Sequence, residues 1–349
     1  MLAAVLLGAV GVSGYSMGAS ALTSHSAFRA GAVPRVLMQQ QPSGLGKPTT
    51  GPLRDKAKPL PEKSKAAEVL EEAKKEEEIE FDNALAAAAE KARSADALDA
   101  ERALGASTAA ALRESLAADG ESALARTVAG KGSKAPTGKL FKALKKPKGT
   151  MSVICEGAMM ETISLGGFEL NEPSYISQQS REGGCAAVSV RMSWADALSA
   201  DALGATVAEQ ETARGEFPSP IGVIVRGPIV DDVQLAAASA AGAAGVVVPL
   251  ALSGREKTAV LLDDARAYGL EPLVRVCTTS ELADALAIDG VTMVLIGDCT
   301  LEEAGALAAQ VPAGVLAVSD VPFLDVRGAW MMVRARTRAH DHARMTTRT

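Results

Sequence analysis

Residues 221–250 read IGVIVRGPIVDDVQLAAASAAGAAGVVVPL, and this stretch decides the fold. Two apolar runs, Ile221–Val225 and Gly245–Leu250, flank an alanine-rich amphipathic segment near residues 231–242. Strands that are apolar along their whole length are buried on both faces, as parallel sheets require. A helix between two such strands forms a right-handed crossover. The stretch therefore predicts one βαβ unit of an α/β protein.

The same alternation begins near residue 150 and continues to about residue 336. The strand-like runs are Ser152–Cys155, Ala186–Val190, Ile221–Val225, Gly245–Leu250, Pro272–Val276, Thr292–Ile296 and Gly314–Val318. The helix-like segments lie near residues 173–183, 194–213, 231–242, 254–268, 279–288, 301–309 and 321–336. Seven consecutive units fit a TIM (β/α)8-type barrel better than an open sheet. Because no Gly-x-Gly-x-x-Gly follows the first run, a dinucleotide-binding fold is disfavoured.

An eighth strand is not visible in the sequence. After Ala329–Val333 the chain becomes rich in arginine and threonine. We therefore expect a barrel that lacks a clear eighth strand, with unpaired edges on its first and seventh strands. The tail could cover this gap, a partner could supply a strand, or the natural C-terminus could differ from this one.

The N-terminal region has the composition of a targeting sequence. Leu2–Val12 is apolar, has the length of a signal-peptide core and is too short to span a bilayer. Residues 24–28 read SHSAF, and beyond Phe28 no acidic residue occurs before Asp55. The layout resembles the bipartite signal plus transit peptides of algae with red-lineage secondary plastids, whose transit peptides begin with phenylalanine. It predicts a location in the plastid (chloroplast) stroma; ordinary secretion and a membrane anchor are the alternatives.

Composition divides the chain into four parts. Residues 1–60 form the targeting presequence and a linker that we expect to be disordered. Residues 61–138 are rich in Ala, Glu and Lys and predict a helical extension of two or three helices. Residues 139–337 form the barrel, and residues 338–349 form a tail. Since no other segment reaches ~18 consecutive apolar residues, we expect no stable membrane span in the mature protein.

Charge and composition argue against several classes of protein. The net charge of −6 and the aromatic content of 3% disfavour a nucleic-acid-binding protein, which usually carries a basic face. The four cysteines lie far apart in apolar surroundings, so we expect buried free thiols. The three histidines, His25, His340 and His342, lie in the terminal segments. Without closely spaced histidines or cysteines, no metal site is expected.

Five short motifs follow one another along the barrel region. They are Leu140–Leu144 (LFKAL), Val153–Ala158 (VICEGA), Glu182–Val190 (EGGCAAVSV), Ala240–Ala243 (AAGA) and Val318–Asp320 (VSD). In this order and spacing, the region from about Lys139 to Val333 resembles the indole-3-glycerol-phosphate synthase family. The resemblance implies the TIM-barrel fold.

The family closes the indole ring of a carboxyphenylamino-deoxyribulose phosphate, with loss of carbon dioxide and water. The resemblance implies that neither a metal nor an organic cofactor is needed. The chemistry requires an acid to protonate the ribulose oxygen and a second acid–base pair to expel water. It also requires a phosphate cradle at the last two strands.

The family's site residues are mostly replaced in this chain, and only the strand-one glutamate is retained, as Glu156. On strand one, the family's lysine falls on Ala158 and the serine beyond it falls near Glu161. The strand-three lysine falls on Arg226, and the strand-five glutamate falls on Arg275. The strand-six asparagine falls on Gly297, and the glutamate after strand seven falls on Asp320. The phosphate site of the eighth strand has no counterpart. Because arginine stays protonated at any working pH, Arg226 and Arg275 cannot exchange protons as the family's residues do.

Glu156, Arg226 and Arg275 fall on strands one, three and five, which contribute to one interior layer of a barrel. We expect an Arg–Glu–Arg cluster with surplus positive charge and consider three interpretations. The cluster could be a satisfied ion network, or Arg226 and Arg275 could bind a phosphorylated or carboxylate small molecule. The third interpretation is a remnant catalytic site formed by Glu156, Arg226 and Asp320.

The sequence favours a catalytically inactive plastid homologue of the family that has an interaction or structural role, with a protein partner. Losing one acid–base group costs about 10²–10⁴ in rate, and several are replaced here. The alternative is a divergent but active indole-3-glycerol-phosphate synthase, the carboxy-lyase of tryptophan biosynthesis. A different barrel activity is a third candidate.

Overall fold

The computed structural model describes residues 4–7, 65–146, 152–157, 163–165, 168–170, 172–193 and 197–321. The chain divides into two units, one made of Met1–Gly11 and Lys74–Thr349 and the other of Val12–Ala73. Of the second unit, the structure describes only the start of the first helix. The predicted linker before residue 60, the residues around Ala329–Val333 and the predicted tail at 338–349 lie outside the described residues.

Parallel strands form a closed barrel with the order β1-β10-β9-β8-β7-β6-β5-β2, and β3 and β4 form a separate antiparallel hairpin. The strands are β1 (Ala4–Leu7), β2 (Ser152–Gly157), β3 (Ile163–Leu165), β4 (Phe168–Leu170), β5 (Ala187–Arg191), β6 (Gly222–Arg226), β7 (Gly245–Pro249), β8 (Glu271–Val276), β9 (Met293–Ile296) and β10 (Leu316–Ser319). The prediction of a TIM-type barrel is confirmed. Each predicted strand agrees with its observed counterpart to within two residues at either end.

Helices follow the barrel strands, as the crossover rule requires. The helices are α1 (Lys65–Ala92), α2 (Ala95–Ala118), α3 (Ala123–Ala129), α4 (Lys139–Leu144), α5 (Pro173–Glu182), α6 (Ala197–Thr212), α7 (Asp232–Ala240), α8 (Leu250–Ala267), α9 (Thr279–Leu286) and α10 (Leu301–Gln310). Capping residues fix where two of these helices begin. Asp231 forms a capping box at the first turn of α7, and Thr300 forms one at the first turn of α10. Among the described residues, no helix is long and apolar enough to cross a membrane.

Alternate strand residues build two separate cores. One core fills the barrel interior and includes Ile154, Ile224, Val247, Leu273, Leu295 and Val318. The residues between them, such as Val223, Val225 and Val246, face outward and pack against the helices. Because both faces of each strand are apolar, the strands read as continuous hydrophobic runs in the sequence.

Helix α4 closes the amino-terminal end of the barrel. Its buried Leu140 and Leu144 belong to the interior core. At the start of β8, the buried Glu271 carboxylate accepts hydrogen bonds from the backbone N–H groups of Leu140 at 3.0 Å and Phe141 at 2.8 Å. Gly245 leaves room for this arrangement, since a Cβ there would lie 2.4 Å from Leu140 Cδ2. The carboxyl ends of the strands therefore lie at the end of the barrel opposite α4.

The seven predicted strands are the parallel strands β2 and β5 to β10, and β1 lies between β2 and β10 in the sheet. Ala4–Leu7 pairs in parallel with β2 on one side and with β10 on the other. Ala4 lies opposite both Ser152 and Val318. The apolar run Leu2–Val12 suits the core of a signal peptide, but it also suits a strand buried on both faces.

The described residues before α4 form the three helices α1, α2 and α3. Helices α2 and α3 pack on α7, and α2 also packs on α8. Arg113 on α2 pairs with Asp231 at 2.7 Å and Asp232 at 2.9 Å. After α3, Lys131 pairs with Asp264 of α8 at 2.8 Å. These ion pairs fix the extension against the outside of the barrel.

Candidate functional site

The last inward-facing residues of several strands are charged. Glu156, Arg226 and Arg275 each follow, by two positions, a residue of the interior core, so they point into the barrel above that core. They lie at the carboxyl ends of β2, β6 and β8. This end of a TIM barrel carries the active site in characterised enzymes, so the charged layer is the candidate functional site.

Arg226 is the centre of this layer. Its side chain is only 6% exposed, and its guanidinium donates two parallel hydrogen bonds to Asp320, of which the Nη1–Oδ1 bond is 3.1 Å long. The same Nη1 atom lies 3.3 Å from Oε1 of Glu156. A buried guanidinium needs such partners because the desolvation of an unpaired charge is costly. Two carboxylates therefore compensate Arg226 within the barrel mouth.

Two further ion pairs extend the layer. Arg191, at the end of β5, lies 3.3 Å from Glu156 Oε1, and Arg275 donates to Asp298 directly after β9. We call these six residues the mouth network: Glu156, Arg191, Arg226, Arg275, Asp298 and Asp320. Its three guanidinium groups and three carboxylates have formal charges that cancel. The positive charge expected from Arg226 and Arg275 is thus offset by the carboxylates of Glu156, Asp298 and Asp320.

Burial and charge act on the titration of the network in opposite directions. Burial raises the pKa of Asp320, although Arg226 and Arg275 act to lower it. Burial acts to lower the pKa of Arg275, but the carboxylates of Asp298 and Asp320 raise it above its usual value. Arg275 therefore stays a cation at every working pH and cannot act as a base.

Gly297 packs closely against two members of the network. A Cβ at this position would lie 3.3 Å from Asp320 Cβ and 3.6 Å from Arg275 Nε. That Nε is buried and has no hydrogen-bond partner among the described residues. The next residue, Asp298, has a φ of 50°, in the left-handed region, which aspartate adopts more readily than most residues. The turn after β9 thus directs the Asp298 carboxylate toward Arg275.

A profile of the family described as Indole-3-glycerol phosphate synthase matches residues 106–297, more than half of the chain. This chain belongs to the indole-3-glycerol phosphate synthase family. Comparison with proteins of curated function gave no match. The family match begins within α2, so part of the helical region before residue 139 lies inside the match.

The structure brings together most of the residues predicted from the family resemblance. Arg226 contacts both Glu156 and Asp320, and Gly297 lies beside Asp320 and Arg275. Arg275 does not pair with Glu156, as an Arg–Glu–Arg cluster would require, but with Asp298. The predicted positions Ala158 and Glu161 lie outside the described residues.

Two members of the mouth network were missed from the sequence. Arg191 follows the inward-facing Ser189 by two positions, so strand alternation could have found it. Asp298 could not be found in this way, because its direction depends on the left-handed turn after β9.

Helix α2 approaches the same end of the barrel. Arg102 Nε donates to the carbonyl of Leu252, after β7, at 3.0 Å. Gln234 Nε2 donates to the carbonyl of Gly105 at 3.3 Å, and a Cβ at Gly105 would lie 2.6 Å from the carbonyl oxygen of Pro228. The negative charge of Glu101 contributes to the raised pKa of Arg275. The extension therefore packs beside the barrel mouth of this family member.

The residues that the structure describes contain no group of three or more histidine, cysteine or acidic side chains able to hold a metal ion. The three carboxylates of the mouth network, Glu156, Asp298 and Asp320, instead lie beside the guanidinium groups of Arg226 and Arg275. A guanidinium is a competing cation, and it occupies the oxygen atoms that a hard metal would use. The described network is thus suited to ion pairing between its own side chains.

We expect Asp320→Ala to destabilise the fold by about 3 kcal/mol, because it removes the bidentate partner of a buried guanidinium. The matched control is Glu211→Ala, which removes a partner of Arg214 where both side chains are more than half exposed. The control should change stability by less than about 0.5 kcal/mol. Urea unfolding followed by circular dichroism measures both values. Equal effects of the two substitutions would show that Arg226 does not depend on Asp320.

Proposed function

We propose that this family member does not catalyse the ring closure and instead has an interaction or structural role. The observation that carries the proposal is the pairing of Arg226 with Asp320 and Glu156. The family has a lysine at the position of Arg226 and a glutamate at that of Arg275, as the resemblance in sequence implies. In their place are two guanidinium groups whose charges are already compensated by carboxylates of the same chain.

The chemistry of the replacements supports the loss of catalysis. General acid catalysis needs a group whose pKa lies near the working pH. Arg226 and Arg275 cannot release a proton under such conditions. Asp320 and Glu156 are the carboxyl groups beside Arg226, and each already accepts hydrogen bonds from it. A substrate phosphate or carboxylate would have to displace these intramolecular partners before it could bind Arg226.

The described features outside the mouth network are those of a structural scaffold. The interior core, the α4 closure and the packing of α2 and α3 on α7 are all present. Such features stabilise a fold without supplying proton transfer. The proposed role therefore uses the surface of the domain rather than the chemistry of its mouth, and a protein partner fits this role.

The proposal is tested by incubating the purified protein with the carboxyphenylamino-deoxyribulose phosphate of the family reaction. Formation of indoleglycerol phosphate is followed by its fluorescence, with an active family enzyme as the positive control. We expect no turnover, or a rate at least ~10⁴-fold below the control, because several proton-transfer groups are replaced. A rate within about 100-fold of the control would refute inactivity and favour a divergent synthase.

We further propose that the protein acts in the plastid stroma after removal of a bipartite presequence. The support is the apolar run Leu2–Val12 followed by the SHSAF segment at residues 24–28. Such processing would remove β1 and leave the position between β2 and β10 open. A retained N-terminus would instead keep β1 in the barrel.

The mature N-terminus decides between these outcomes. Mass spectrometry of protein isolated from its native cells should show a first residue at Phe28 or beyond. An intact N-terminus that contains residues 4–7 would contradict the presequence and support β1 as a permanent strand.

A further inference from the structure

Positive charge is concentrated around α4, at the amino-terminal end of the barrel. Residues 122–155 contain eight of the chain's 36 lysine and arginine residues and none of its 42 acidic residues. Among the described residues of this stretch, five exposed lysines have no carboxylate partner, and we call them the lysine face: Lys134, Lys139, Lys142, Lys145 and Lys146. This charge is segregated in a chain whose net charge is −6.

Two contacts place the lysine face on the outside of this end. Leu140 and Leu144 lie one helical turn apart and belong to the interior core, so Lys142 between them points away from the barrel. Lys134 forms a parallel bridge with Tyr268, which lies between α8 and the start of β8. The lysine face therefore lies at the end of the barrel opposite the mouth network.

An exposed aromatic residue lies at the same end. Phe217 belongs to the loop between α6 and β6, and 98% of its surface is accessible to solvent. The loop is held in place by the buried Arg181, which donates to the carbonyl of Pro218 at 2.8 Å. The start of β6 lies against α4, since a Cβ at Gly222 would be 3.1 Å from Leu140 Cδ1. The fold thus leaves a large apolar side chain in water, where its burial elsewhere would be favourable.

We propose that this end of the barrel binds an anionic lipid surface, with the lysine face at the headgroups and Phe217 inserted between them. Lysines near a membrane are attracted by the negative potential of anionic lipids. An apolar side chain adds affinity when it enters the boundary between headgroups and acyl chains. Because the lysine face lies opposite the mouth network, the inference does not rest on the proposed loss of catalysis.

The residue types favour a lipid surface over other anionic partners. Lysine is depleted from protein–protein interfaces, whereas arginine is enriched there, and every cation of the lysine face is a lysine. Proteins that bind nucleic acids read bases largely through arginine or stack successive bases on several aromatic rings. A headgroup layer accepts point charges at any spacing, and a single side chain such as Phe217 can enter it.

The test measures co-sedimentation of the full chain with vesicles of one-third phosphatidylglycerol and two-thirds phosphatidylcholine. Vesicles of phosphatidylcholine alone report the binding that does not depend on charge, including any binding by the apolar run Leu2–Val12. We expect stronger partition onto the anionic vesicles, by about fivefold for each lysine at the surface. At about 1 M salt, where the Debye length is about 3 Å, most of this difference should disappear.

A matched pair of charge variants makes the result specific to the lysine face. Lys142→Gln combined with Lys146→Gln should weaken binding to the anionic vesicles about 25-fold. The control combines Lys91→Gln with Lys257→Gln, which removes two exposed charges from α1 and α8 and should leave the binding unchanged. Lys145 is kept in both variants because its ammonium group lies 5.4 Å from the centre of the Phe141 ring.

A second pair of variants tests the apolar contribution. Phe217→Ser should weaken binding at least ~5-fold, whereas Val260→Ser, which removes a 59% exposed side chain from α8, should not. Circular dichroism checks that all variants keep the parent fold, as expected from the exposure of the substituted side chains.

Equal binding to neutral and anionic vesicles, or equal binding by the lysine-face variant and its control, would overturn the proposal. Lysine-dependent binding to RNA or to an acidic protein, without binding to the anionic vesicles, would also overturn it.

Discussion

The pairing of a buried guanidinium with two carboxylates governs the open end of this barrel. Arg226 projects inward from β6 and is almost wholly removed from water, so its charge must be compensated within the protein. Glu156 on β2 and Asp320 directly after β10 satisfy that requirement. The pairing that permits an arginine at this depth therefore engages its guanidinium with carboxylates of the same chain.

Much of the barrel could be predicted from sequence because its strands are buried on both faces. Runs such as Ile221–Val225 and Gly245–Leu250 differ sharply from the alanine-rich helices between them, and the observed strands β6 and β7 coincide with them. The period of two residues along a strand also places Arg226 above Ile224 in the interior. These are local properties that a single sequence carries.

The features that could not be predicted depend on contacts between distant segments. Glu271 is separated by more than a hundred residues from the α4 backbone that it caps, and its role follows from the closure of the barrel. Asp298 reaches Arg275 only because its backbone takes the left-handed conformation. The placement of β1 beside β10 joins opposite ends of the chain, and its apolar composition fits a leader peptide equally well.

The central claim is that the arginines of the mouth are already engaged by carboxylates of the same chain. Calorimetric titration of the folded protein with the phosphorylated substrate of the family tests it most directly. The account predicts no saturable heat, which corresponds to a dissociation constant weaker than about 1 mM. Micromolar binding that weakens at least ~10-fold in a folded Arg226→Gln variant would contradict it, since Arg226 would then be available to a ligand.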